Sequence, residues 1–81
     1  MKDVEVWRVV KGTDRTIICR QREISMPAGW DSYVALELRV EHNGEIFRTE
    51  THKERVTFVE RVTELRRMLE AEGWTHVQQE G

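Results

Sequence analysis

The sequence predicts an α+β fold: an antiparallel four-stranded β-meander followed by one C-terminal amphipathic α-helix. Three observations lead there. Tyr33 to His42 alternates apolar and polar residues and runs into Asn43-Gly44. Phe58, Val62, Leu65 and Leu69 recur at spacings of four, three and four, the signature of one helix stripe. Two segments rich in β-branched residues, Val4 to Lys11 and Thr16 to Ile24, flank the turn residues Gly12-Thr13-Asp14.

The first hairpin follows from that last pattern, but neither of its strands alternates cleanly. Val4, Val6 and Val10 fall on one face and Trp7 and Val9 on the other, while Ile17 and Cys19 oppose Ile18 and Ile24. Apolar groups on both faces predict that both sides of this hairpin are covered. A single helix covers one. Ser25 to Ser32, with the only proline and Trp30 at its tip, is expected to be an irregular loop.

The second hairpin is sharper. Val34, Leu36, Leu38 and Val40 point one way and Glu37, Arg39 and Glu41 the other. Asn43-Gly44 supplies the two left-handed positions of a type I′ turn, and Glu45 to Thr51 is the return strand. With His42 opposite Glu45, an unbroken register faces Val40 to Phe47, Leu38 to Thr49, Glu41 to Ile46, Arg39 to Arg48 and Glu37 to Glu50.

The helix is expected from about His52 to Glu72. Thr51 and Glu54 match a capping box at its start. Gly73 suits the left-handed position after its end, with Trp74 packing back on Leu69. Val59 and Met68 flank the stripe and Val56 lies off it. Thr75-His76-Val77 can add a short fifth strand, so residues 1–77 read as a single α+β domain and 78–81 as a frayed tail.

Apolar residues make up 38% of the chain and charged residues 35%, a lean core under a heavily charged surface. A domain this small buries only about 60% of what its unfolded chain exposes, so a second copy is a natural way to finish its core. The net charge of −2 gives no global pull toward nucleic acid or anionic membrane. One cysteine, Cys19, excludes an internal disulfide and suits a reducing compartment. The N-terminus carries acids where a signal peptide needs an apolar run, and no apolar stretch is long enough to span a membrane. The expectation is a complete, soluble, cytoplasmic protein.

Catalytic and metal templates fail in turn. His42, His52 and His76 have no paired ligand spacing, and no cysteine pair supports them. The five glycines fall at turns, a cap and the tail, which leaves no phosphate-binding loop. Cys19 reads as a small buried hydrophobe, and the Glu60/Glu64 and Glu70/Glu72 pairs as solvated helix surface. No enzyme activity and no cofactor is predicted.

Two features point to partners. Trp7, Val9, Ile18, Ile24, Trp30 and Val56 are more apolar surface than one helix can shelter, which predicts a binding module. The expected partner is a second copy of the chain, covering the sheet face opposite the helix together with the 25–32 loop. Another protein could take the same surface. The alternative is single-stranded nucleic acid. Between Arg8 and Arg22 the chain carries Arg8, Lys11, Arg15, Arg20 and Arg22 against Asp14 alone, and cations tracking phosphates beside stacking tryptophans suit a single strand. A meander followed by one helix is also similar in architecture to the single-stranded-DNA-binding transcriptional coactivators, although no motif matches residue for residue. A pocket between sheet and helix is a third reading, and it requires a cavity of ~300 Å³ or more.

Overall fold

The computed structural model describes residues 3–78, so the tail expected beyond Gln78 lies outside the described residues. In chain order it contains β1 (Val4–Lys11), β2 (Arg15–Ala28), β3 (Asp31–His42), β4 (Glu45–His52), α1 (Arg55–Ala71) and β5 (Thr75–Val77). The strands form one antiparallel sheet in the order β4-β3-β2-β1-β5. The helix lies on one face, here the inner face. The α+β meander and the short fifth strand are therefore as expected, with β5 pairing against β1 from Val10↔Thr75 to Arg8↔Val77.

The broken alternation of β1 has a local cause. Glu5 pairs with Arg20, yet Trp7 pairs with Cys19, so Val6 is an extra residue in a β-bulge. That one insertion turns Trp7 and Val9 to the inner face, where Ile17 and Cys19 already point. Trp7 and Val9 were expected to belong to a surplus surface, and the bulge instead makes them core, at 3% and 0% exposure. The Trp7 indole donates from Nε1 to the Val62 carbonyl at 2.8 Å, which pins β1 to the middle of α1. Around them close Ile17, Cys19, Leu36, Leu38, Val40, Phe58, Val62 and Leu65.

A second bulge corrects the register of the other hairpin. Glu41 pairs with Ile46 as expected, but Val40 pairs with Arg48 and leaves Phe47 as the extra residue. Every later pair moves by one, giving Arg39↔Thr49, Leu38↔Glu50 and Glu37↔Thr51. The shift removes the like-charged pairs Arg39–Arg48 and Glu37–Glu50 of an unbroken register, each of which would repel. It also brings Glu50 to the inner face, beneath the helix. Asn43 and Gly44 hold φ of 50° and 86°, as a type I′ turn needs.

The helix begins three residues later than expected. β4 continues through Thr51 and His52, which pair with Glu37 and Leu36, so Thr51 is not free to cap. Glu54 takes the N-cap position without a side-chain cap bond. The C-terminal end matches its expectation. Gly73 at φ +97° donates to the Glu70 carbonyl at 3.1 Å, and Trp74 donates to Leu69 at 3.0 Å, the paired bonds of a Schellman stop. Lys11 adds its ammonium to the Glu72 carbonyl at 2.9 Å.

Candidate interaction surface

The segment expected to be an irregular loop is a projecting ribbon. β2 and β3 remain paired in register out to Ala28↔Asp31, closed by the two residues Gly29 and Trp30. Gly29 supplies the left-handed backbone the turn needs, at φ +64°. On the flanks, β1 ends opposite Gln21 and β4 ends opposite Leu36. The pairs from Ile24↔Ala35 outward therefore have no neighbouring strand, a two-stranded arm of roughly 17 Å at ~3.4 Å per residue. The molecule measures 49 × 26 × 21 Å, with a radius of gyration of 14.0 Å, where a compact chain of this length would have about 12 Å.

The arm is poor in charge. Of residues 24–35 only Asp31 is ionised, in a chain that is 35% charged. Exposed ribbon edges are usually blunted by charged side chains, and this one is not. Ile24, Met26, Tyr33 and Ala35 share its outer face, with Ala35 enclosed by its neighbours at 1% exposure. The Lys53 ammonium sits over the Tyr33 ring at 5.0 Å from the centroid. Val34, on the inner face beyond the end of the helix, is 62% exposed, and Trp30 at the tip exposes its whole side chain.

The outer face of the sheet is a lattice of ion pairs. Arg8 meets Glu5 at 2.9 Å, Arg20 meets Glu41 at 3.0 Å and Arg22 meets Glu37 at 3.1 Å. Arg39 reaches Asp3, Glu37 and Glu41 at 3.5–3.6 Å. The Glu5 carboxylate raises the Arg8 pKa, first through the hydrogen bond and then through its charge. Ile18 lies half-buried in this lattice, between Arg8 and Glu41 on the neighbouring strands, and Ile24 lies half-buried two pairs beyond Arg22. The arginine stems give the outer face a partial apolar cover of its own.

The residues expected to form one patch thus occupy four places. Trp7 and Val9 are core, Ile18 and Ile24 are shielded on the outer face, Trp30 stands at the arm tip, and Val56 is exposed on α1. The five cations are not a free basic stripe either. Arg8, Arg20 and Arg22 are paired with carboxylates and Lys11 caps the helix, while Arg15 is exposed without an ion-pair partner among the described residues.

Sequence reasoning missed a further exposed group where β4 meets α1. The bulge holds Phe47 outward at 59% exposure, beside Met68 at 53%. Together with Leu65 and Leu69 they line a cleft of about 160 Å³ rimmed by Arg48 and Glu72. That volume is below the ~300 Å³ at which small-molecule pockets begin. Nearby, the Glu50 carboxylate receives Arg61 Nε at 3.0 and 3.1 Å and Nη2 at 3.0 Å. These bonds lower the Glu50 pKa below the usual carboxylate range, with His52 and Arg48 adding to the effect, and they raise that of Arg61. Burial, reinforced by the Glu50 charge, pushes the Cys19 thiol up to about 12. Among the described residues no group of three or more His, Cys, Asp and Glu could hold a metal ion, and no helix is long and apolar enough to cross a membrane. No protein-family model, no curated protein and no solved structure matches the chain.

Proposed function

We propose that this chain is a non-catalytic interaction module that works as a homodimer through its β2–β3 arm. The observation that carries the reading is the arm itself, with one charge in residues 24–35, unpaired outer edges and a fully exposed Trp30 at its tip. A two-stranded ribbon in water is marginal alone, and covering it lowers the free energy of both strands. A second copy supplies cover of matching size and shape without any further component.

The surface expected from the sequence moves accordingly. The outer face satisfies its own charges, whereas the arm and the β4 flank hold the exposed Trp30, Val34, Ile46 and Phe47. Trp30→Ala should shift the chain toward its monomer mass at fixed concentration. The stability of the diluted monomer should stay within about 0.5 kcal/mol, as for surface substitutions away from special features. Sedimentation and urea unfolding check the two halves. A large loss of monomer stability would make Trp30 part of a core and end this reading.

A further inference from the structure

The tip and the cleft fit each other. The cleft between β4 and α1 holds about 160 Å³ and is walled by Phe47, Leu65, Met68 and Leu69. An apolar cavity of ~150 Å³ accommodates one benzene-sized ring, so the natural occupant is a single aromatic side chain. Met68 forms one wall with an unbranched thioether that adapts to a planar guest. At the far tip of the β2–β3 ribbon, Trp30 is an aromatic side chain with nothing around it.

The chain cannot fill its own cleft. Asp31, next to Trp30, and Val40, beside the cleft, lie nine residues apart on β3, a paired and therefore stiff strand. At ~3.3 Å per residue that separation is about 30 Å. The ring must come from another molecule, and the placement of knob and hole near opposite ends of β3 specifies which. Two copies laid antiparallel bring each tip to the other's cleft at once, so the contact closes after two chains. A one-way contact would propagate into a filament. Charge does not decide the seating: Asp31, the arm's only ion, would arrive between Arg48, which is 47% exposed and already paired with Glu50 at 3.3 Å, and Glu72 on the same rim.

Resting on the dimer reading above, we infer that Trp30 of each copy inserts into the β4–α1 cleft of the other, about a two-fold axis. Two indoles at roughly 150–250 Å² each, with the walls they cover, supply up to about half of the ~1,200 Å² that a specific interface buries. The sparsely charged flanks of the arm supply the rest.

Thiol-specific cross-linking tests the seating and leaves Trp30 in place. Asp31→Cys chains carrying a mass tag are mixed with untagged Glu72→Cys chains and treated with a short bis-maleimide, the native Cys19 being wholly buried. The mixed product should exceed either like-with-like product at least five-fold, and adding Trp30→Ala to the Asp31→Cys chain should return it to that background. Preferential Asp31→Cys to Asp31→Cys linkage would mean that tips meet tips, and would overturn the seating. If the wild-type chain sediments as a dimer but the mixed product stays at background, the seating falls and the dimer stands. A monomer at all concentrations overturns both.

Discussion

Glu50 illustrates how one side chain fixes the seat of the helix. The bulge at Phe47 turns it inward, and there it receives three short guanidinium bonds from Arg61. Arg61 accounts for most of the lowering of the Glu50 pKa, with His52 and Arg48 contributing. The folded value lies below the unfolded one of about 4.3, so the stabilisation is complete above that pH and is lost as pH falls through the depressed value. Glu50→Gln should therefore cost about 1–3 kcal/mol at neutral pH, the range for hydrogen bonds to charged groups and for donors left unpaired. The penalty should shrink progressively as pH falls below the unfolded value, because the unfolded chain then binds a proton that the ion-paired carboxylate resists. Urea unfolding of both chains at pH 7 and near pH 3 checks this. An equal penalty at both would show that shape, and not charge, holds Arg61. His52 shares the cluster through Nε2 at 3.3 Å and stacks edge-on against Phe58, which joins the ion pairs to the core.

At the scale of elements, the end of α1 and the two bulges decide the fold's geometry. Gly73 sits at φ +97°, and a Cβ built there would lie 3.7 Å from Lys11 Cε, an ordinary contact. Gly73→Ala should then lose about 1–2 kcal/mol through backbone strain alone, while Gly73→Asn, better suited to the left-handed region, should recover part of it. Equal losses from Ala and Asn, measured by urea unfolding, would point to crowding instead. This stop was legible in the sequence because its cause is local: Gly73 and Trp74 follow directly on the Leu65–Leu69 stripe. Asn43-Gly44 was legible for the same reason. The bulges were not, because an extra residue at Val6 or Phe47 is stabilised by what faces it from another strand or from the helix. The start of α1 was misplaced through the same non-local effect, as Thr51 has a strand partner in Glu37 that outcompetes capping. The arm was hidden by its own residues: Pro27-Ala28-Gly29 has the composition of a loop, yet it belongs to a paired strand and a two-residue turn. Its poverty in charge was countable from the start.

For the whole molecule, the sheet divides into a body and an arm. The body carries the helix, a core closed by Trp7 and Val62, and an outer face whose arginines and glutamates answer one another. The apolar load of the first hairpin, expected to exceed what one helix shelters, is divided between the two faces of the sheet. The Val6 bulge brings Trp7 and Val9 under cover, and the arginine stems screen Ile18. What stays uncovered is the arm, which stretches the molecule to 49 Å along its longest axis. Whether that arm self-associates is read from sedimentation equilibrium of the wild-type chain over a wide concentration range. The weight-average mass should rise from the 9.7 kDa of one chain and level off at twice that value. A mass that stays at one chain throughout, or that climbs past two without a plateau, would contradict it.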